Sequence, residues 1–278
     1  MTSRRLIRIK VLQLLYAYGK REGVTIAEVE RELMKSISKS TDLYYEILLL
    51  LTEIQRRAFL KIDAARNKRL ASNIDLNPNT RFIDNPVLKT IWNNHKFQSY
   101  INNNTVSWND SQETVLYFYN KLIETKAYQK YMHQKDVGFE DHKQMVINLF
   151  AEIIISDDMF YQTLEEKSLY WNDDFELVLS LVHKTLKNIQ AEQTEEDIIL
   201  YPVFKPEEDT EYARTLMRKS LLESEENIKL IDKFTYNWEI ERISDMDKLI
   251  MSCAISELRN FPSIPIKVTL DEYIEISK

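Results

Sequence analysis

Glycine is scarce throughout this chain. Three glycines, Gly19, Gly23 and Gly138, occur in 278 residues, where average usage of about 7% would give about 19. Phosphate-binding loops of the P-loop and dinucleotide-binding kinds need several glycines within a few residues, and sandwiches, barrels and propellers need turn glycines at short intervals. The sequence therefore predicts an all-α protein without a glycine-rich cofactor loop.

The prolines divide this helical sequence into segments. They occur as three pairs, Pro78 and Pro86, Pro202 and Pro206, and Pro262 and Pro265. Before the first pair, we expect three helices: one over about 4–18, one opened by a Thr25–Glu28 capping box, and one from near Thr41. The Asn-rich stretch 73–85 is expected to be a loop. Further helices are expected over about 87–101, 111–132, 140–156, 173–190, 208–222, 224–236 and 245–259, with a last one opened by a capping box at Thr269.

Composition places the chain among soluble globular proteins, with 44% hydrophobic and 29% charged residues. The longest apolar run, Ile47 to Leu51, is far shorter than a membrane span. The N-terminal apolar stretch lacks the features of a signal peptide. The single cysteine, Cys253, forms no internal disulfide and lies in an apolar stretch, so we expect a packed, unreactive thiol. We expect a cytoplasmic protein that does not contact a membrane.

Residues that could support catalysis or metal binding are scattered. The four histidines lack a second histidine or a cysteine at metal-ligand spacing, and one cysteine cannot anchor a zinc site. Hydrolase, metalloprotease and P-loop motifs are absent. We therefore expect no catalytic residue, no metal and no cofactor. The many aromatic residues of 87–201 are expected to pack in the core.

Charge is distributed unevenly along the chain. The net charge is −7, but residues 1–21 carry six basic residues and no acid, which leaves −13 on the rest. A second basic cluster, 56–69, has six basic residues and one acid, whereas 171–210 is acidic. Such clusters either form an anion site or are solvated helix faces.

The first predicted helix combines arginines with a tyrosine. Arg5 and Tyr16 are eleven residues apart, about three helical turns, and therefore share a face near Arg4 and Arg8. Guanidinium groups bind phosphates and stack on bases, and a tyrosine ring can stack on an unpaired base. This pattern favours single-stranded RNA as a ligand, although short Arg-rich helices are common.

Two regions resemble the NusB family of bacterial transcription antitermination factors. The first is Ser3-Arg4-Arg5, Arg8 and Leu12–Tyr16, with Leu6 and Ile7 as departures. The second includes Asp209, Tyr212-Ala213-Arg214, Leu216, Trp238, Arg242-Ile243, Asp247-Lys248, Ile250, Ala254, Glu257-Leu258, Ile264–Glu272 and Glu275–Lys278. Asp271 stands where the family usually has asparagine, and Ser252 and Ser256 replace its usual arginine and tyrosine.

The resemblance implies an all-α fold of two small bundles. About 90 of the 278 residues carry it, and typical members are about half this length. Residues 1–58 and 201–278 would form the NusB-like core, and 59–200 would be a helical insertion like that of the long Bacteroidetes form. The family's final helix would follow Lys278, so we expect that the sequence continues beyond it.

The resemblance also implies a function. NusB proteins bind the boxA element of nascent ribosomal RNA together with the ribosomal protein NusE, in the transcription elongation complex, and are not enzymes. Carried over by position, Arg4, Arg5, Arg8 and Tyr16 would contact RNA. Lys267 would contact RNA or only lie in the turn after Pro265.

Asp247 would make a charged contact with NusE. An equally favoured interpretation is that Asp247 is an acid in the first turn of a helix and forms an N-terminal cap with Ser244.

Other functions stay open at this point. The chain could be the RNA-binding part of an rRNA-modifying enzyme, such as a cytosine methyltransferase with a NusB-like N-terminal domain, or a helical module that docks proteins without binding RNA. Sequence beyond Lys278 would test whether the chain is part of an enzyme. Binding of NusE without a preference for boxA RNA would indicate a protein-docking module. Family members occur as monomers and homodimers, and the segment 59–200 either extends an RNA path or adds a partner surface.

Overall fold

The computed structural model describes residues 3–19, 21, 23–197, 200–235 and 239–278. Within these ranges no residue forms a β-strand, and the protein is all-α, as predicted. Trp238 and the predicted helix end at 236 lie outside the described residues. The helices are α1 Ser3–Gly19, α2 Ile26–Arg66, α3 Asn73–Leu76, α4 Pro86–Asn93, α5 His95–Asn103, α6 Gln112–Glu124, α7 Lys126–His133, α8 Phe139–Asn148, α9 Asp158–Lys167, α10 Phe175–Asn188, α11 Glu208–Leu222, α12 Ser224–Phe234, α13 Asp245–Asn260 and α14 Ile266–Ile276.

Helix α2 is continuous, so the prediction of a separate helix from near Thr41 was wrong. The capping box at its start is confirmed, since the Thr25 hydroxyl accepts from the backbone N–H of Glu28 and the Glu28 carboxylate accepts from Thr25. The polar residues near 40 do not end the helix. The Ser38 hydroxyl donates to the carbonyl of Lys35 at 2.8 Å, inside the preceding turn, which lets a hydroxyl residue stay within a helix.

Side-chain caps, and not glycine or proline alone, divide the middle of the chain. The predicted helix 87–101 is two helices, because the Asn94 side chain accepts from the N–H of Phe97 at 2.9 Å and starts α5. The predicted helix 111–132 is likewise divided at Thr125, which caps α7. Helix α9 was not predicted, and α3 lies in the predicted loop, where Ser72 and Asp75 form a capping box.

The chain divides into two compact units. Unit 1 comprises residues 1–39 and 203–278, and unit 2 comprises residues 40–202. The division 1–58, 59–200 and 201–278 drawn from the resemblance stays a prediction.

In unit 1, helix α1 packs against α11, α13 and α14, and α13 also contacts α11 and α12. Fully buried residues of its core include Leu6, Ile7, Val11, Ala213, Leu216 and Cys253. Helices α11 and α13 match their predicted spans closely. The predicted capping box at Thr269 is wrong, because α14 begins at Ile266 and Thr269 is buried inside it.

In unit 2, aromatic residues fill much of the core, as expected. Trp108, Phe118, Phe150 and Phe160 are almost completely buried, whereas Trp92 is exposed. The Trp108 indole N–H donates to the carbonyl of Glu46 at 2.9 Å. The carboxylate of Glu46 forms an ion pair with Lys167.

Candidate nucleic-acid interface

Four helices of unit 1 meet at the carboxylate of Glu257, which has no solvent exposure. Arg8 of α1 donates to it twice, from Nε at 2.8 Å and from Nη2 at 2.7 Å. The Tyr212 hydroxyl of α11 donates at 2.6 Å, and the Thr269 hydroxyl of α14 donates at 2.8 Å. Glu257 itself belongs to α13, so one carboxylate fixes the relative positions of four helices.

Two aromatic rings contact the Arg8 guanidinium in addition to the Glu257 carboxylate. The guanidinium lies 5.6 Å from the ring centre of Tyr212 and 5.8 Å from that of Tyr273. Both distances are within the range of a cation–π contact. The Arg8 side chain is only 2% exposed. Such burial is typical of an internal ion pair and leaves little of the side chain accessible to a ligand.

The pKa values of this cluster favour the charged pair. Burial by itself raises the pKa of Glu257, but the hydrogen bonds and charge of Arg8, together with Tyr212 and Thr269, leave that pKa below its ordinary value. Burial lowers the pKa of Arg8, but Glu257, together with Tyr212 and Tyr273, more than compensates and leaves that pKa above its ordinary value. Glu257 and Arg8 are therefore both ionised at neutral pH.

Arg4 and Arg5 lie nearer the surface than Arg8. Arg5 binds Glu272 of α14 with two hydrogen bonds, of 2.6 and 3.1 Å, and its side chain is 29% exposed. Arg4 lies 3.6 Å from Asp209 of α11, stacks 5.0 Å from the ring centre of Tyr212, and is 38% exposed. The carboxylates hold both guanidinium groups while leaving part of each accessible.

An open cavity of about 430 Å³ lies beside these arginines. Arg4, Arg8 and Lys205 line it together with Glu208, Asp209 and Glu272, and the turn at 263–265 forms another wall. Because its lining carries both signs of charge, the cavity is not a purely cationic pocket. Partly exposed cations with fixed orientation can still bind phosphate through their outward N–H groups.

The remaining predicted residues do not all join this cluster. Tyr16, on α1, is exposed by 42%. Lys267 is exposed in the first turn of α14. Asp247 is exposed in the first turn of α13, where its carboxylate accepts from the Ser244 hydroxyl at 2.8 Å and its N–H donates back. This confirms the capping role of Asp247, and its contact with a partner stays a prediction.

Sequence reasoning treated Glu257 and Tyr212 only as positions of the resemblance, and it assigned Thr269 and Glu272 to a helix cap instead of to this cluster. One signal was present: Arg8 and Glu257 both fall among apolar residues that point to the core, and a buried charge needs a partner. Which acid pairs with which arginine could not be read from spacing, since Arg8 and Glu257 are 249 positions apart.

Among the residues that the structure describes, no group of three or more histidine, cysteine, aspartate or glutamate residues could hold a metal ion. No helix in the described part of the chain is long and apolar enough to cross a membrane.

Part of the chain is similar to a known protein family. The family model described as the NusB family matches residues 176–278. Each of the relatives that follow carries the name transcription antitermination protein NusB. The Salinibacter ruber protein is 36% identical over 88 residues, which are 32% of this chain and 55% of that protein.

Two further relatives match shorter stretches of the chain. The Natranaerobius thermophilus protein is 34% identical over 68 residues, or 24% of this chain and 49% of that protein. The Myxococcus xanthus protein is 33% identical over 67 residues, or 24% of this chain and 48% of that protein. The chain thus spans about half the length of the curated relatives that it matches.

No solved structure matches the chain significantly. The residues matched by the family model include α11, α13 and α14, three of the four helices that surround Glu257. The similarity to the NusB family therefore lies in residues 176–278.

Proposed function

We propose that this chain is a non-enzymatic transcription antitermination factor that binds boxA-type ribosomal RNA together with the ribosomal protein NusE. The NusB family match and the names of the relatives support antitermination. The RNA and NusE parts of the proposal rest on the resemblance of α1 and α13 to the family. Such a factor acts on nascent RNA in the cytoplasm.

The observation that carries the RNA part is the arrangement of arginines on α1. Arg4 and Arg5 are partly exposed, and Asp209 and Glu272 hold them in place. Preorganised guanidinium groups lose less side-chain entropy when they bind a phosphate. Tyr16 offers an exposed ring on the same helix for stacking on a base.

Arg8 takes a different role in this proposal. Its guanidinium is hydrogen-bonded to Glu257 inside the bundle. Arg8 therefore holds α1 in position, and with it the partly exposed Arg4 and Arg5. Its direct contact with RNA stays a prediction.

The decisive experiment is a titration of labelled boxA RNA with the full chain, with and without NusE. Arg5→Ala should weaken RNA binding and lower the salt slope by about 0.7 for each lost single-strand phosphate contact. Arg31→Ala is the matched control, since Arg31 is an exposed arginine on α2 of the same unit. Unchanged affinity for both Arg4→Ala and Arg5→Ala would remove α1 from the RNA site.

The NusE contact is tested separately. Asp247→Ala should weaken NusE binding and leave binding of RNA alone unchanged. Asp245→Ala is the control, because Asp245 is also an exposed acid in the first turn of α13. Equal effects of the two changes would indicate a general loss of negative charge at the start of α13 and not a specific contact of Asp247.

We further propose that the NusB-like core consists of the N-terminal and C-terminal parts of the chain and that the part between them is an insertion. The composition of unit 1, which joins residues 1–39 to 203–278, supports this division.

A further inference from the structure

Unit 2 has an open groove beside the C-terminal half of α2. Its volume is about 510 Å³, within the range of ligand and peptide-anchor sites. Arg56, Phe59 and Leu60 of α2 form one side, and Ile83, Lys89 and Trp92 form the other.

Large apolar side chains remain exposed in this groove. Phe59 is 51% exposed, Leu60 42% and Trp92 39%. Three such residues gathered in one concave surface mark an interaction site more strongly than single exposed residues do. The spacing of residues 52, 55, 56, 59 and 60 places them on one face of α2, so a single helix side presents the apolar wall.

Polar groups on the floor of the groove already have partners. The Gln55 amide donates to the carbonyl of Ile83 at 3.0 Å, and the Thr52 hydroxyl donates to the carbonyl of Leu49 at 2.9 Å. A nucleobase is read through hydrogen bonds to its edges, and these groups are committed within the protein. Leu60 and Ile83 instead favour aliphatic or aromatic side chains.

Two cations, Arg56 and Lys89, and one acid, Asp84, line the groove. The side chains of Arg56 and Lys89 are 55% and 53% exposed, and each has one intramolecular carboxylate partner, Glu53 and Asp84 respectively. Along α2 and the residues after it, the segment 56–69 carries six basic residues and one acid. This surplus of positive charge beside an apolar groove complements a segment that is apolar on one face and acidic on its flanks.

We propose that this groove binds an acidic amphipathic helix of a partner protein. Apolar side chains of that helix would fill the space between Phe59, Leu60 and Trp92, and its carboxylates would face Arg56 and Lys89. This is helix-in-groove recognition. The proposal is independent of the RNA site, because its residues all belong to unit 2.

The test uses a fluorescein-labelled peptide of about 16 residues with leucines at positions i, i+3, i+4 and i+7 and glutamates on the flanks. The full chain is titrated against it by fluorescence anisotropy. A control peptide carries lysine in place of every glutamate. The acidic peptide should bind at least about tenfold more tightly than the basic one, and its affinity should fall as salt is raised.

Matched variants locate the binding. Leu60→Glu should weaken binding of the acidic peptide by about tenfold or more, because it places a charge in the groove. Leu169→Glu should leave it unchanged, since Leu169 is 84% exposed elsewhere in unit 2. The double change Arg56→Glu with Lys89→Glu should weaken binding, whereas Lys126→Glu, an exposed lysine of α7, should not. Circular dichroism verifies that each variant folds.

Three results would overturn the proposal. The first is equal binding of the acidic and basic peptides, or of the wild-type chain and Leu60→Glu. The second is a single-stranded RNA that competes with the peptide and loses affinity in Leu60→Glu, which would assign the groove to nucleic acid. The third is concentration-dependent self-association abolished by Leu60→Glu, which would assign the groove to a second copy of this chain.

Discussion

The guanidinium of Arg8 and the carboxylate of Glu257 form a buried, doubly hydrogen-bonded ion pair between α1 and α13. This pair joins the start of the chain to its C-terminal part, so it links the Arg-rich helix to the segment that matches the family model. Any RNA contact by Arg4 or Arg5 depends on α1 being held in this position.

Removing one partner of the pair should be costly. Glu257→Gln leaves the buried Arg8 guanidinium with only the more distant Glu272 carboxylate, 3.8 Å away, as a counter-charge, and we expect a loss of about 3 kcal/mol in the free energy of unfolding. Urea denaturation followed by circular dichroism measures it. Asp271→Asn, on the exposed side of α14, should change stability by less than about 0.5 kcal/mol. Adding Arg8→Met to Glu257→Gln should cost less than the sum of the two single changes. Strict additivity would mean that the pair is not coupled.

The pH dependence of the free energy of unfolding should reflect the titration of Glu257. Its pKa is lower in the folded chain than the ordinary 4.5, so the stabilisation from its charged form is fully present above pH 4.5 and is lost as the pH falls through the folded pKa. The stability difference between the wild type and Glu257→Gln should therefore be largest near neutrality and shrink below pH about 4.5. Unfolding curves at pH 7, 5 and 3.5 test this. A constant difference would show that Glu257 does not titrate in this way.

Asn85 should be a second stability determinant, in unit 2. It is fully buried, and its side-chain oxygen accepts from the N–H of Val87 at 3.0 Å while its amide donates to the carbonyl of His142 at 3.0 Å. Asn85→Ala removes a helix cap and takes the side-chain acceptor away from the buried N–H groups of Val87 and Leu88, so we expect a loss of about 2 kcal/mol or more in the free energy of unfolding. Thermal unfolding measures it, with Asn103→Ala at an exposed position of α5 as the control. Similar effects at the two sites would argue against a special role for Asn85.

Cys253 should be unreactive in the folded chain. Burial raises its pKa to about 12, and the side chain has no solvent exposure. Because the thiolate is the reactive form, a chromogenic disulfide reagent at pH 8 should label the native chain far more slowly than the chain in urea. Equal rates would mean that α13 opens readily.

Tyr16 should contribute to RNA affinity by stacking. Tyr16→Ala should weaken boxA RNA binding by about 1 to 3 kcal/mol, the usual contribution of one base–aromatic stack, whereas Tyr16→Phe should retain most of the affinity. Filter binding at fixed salt measures both. Tyr18→Ala is the control, since the Tyr18 ring lies 5.4 Å from the Arg21 guanidinium in the structure. An equal loss for Tyr16→Ala and Tyr18→Ala would indicate a general effect on α1.

Local chemistry in the sequence was enough to place many helices. The Thr25–Glu28 box begins α2 and Ser244 caps α13, because each cap depends on residues within one turn of the helix end. Helix α11 also keeps its predicted span, although its N-cap residue forms no side-chain cap. Asn94 and Thr125 also act locally, but their capping role was missed because asparagine and threonine occur at many positions that are not caps.

The sequence by itself determined the all-α class, the lack of glycine-rich phosphate loops and the cluster of positive charge on α1, because these follow from composition and from contacts within a few residues. Only the tertiary structure decided that Arg8 is buried while Arg4 and Arg5 are partly exposed. It also decided that Thr269 donates to Glu257 instead of capping a helix. Both outcomes depend on helices that pack together from distant parts of the chain, and the desolvation of a charge is set by that packing and not by the neighbours in sequence.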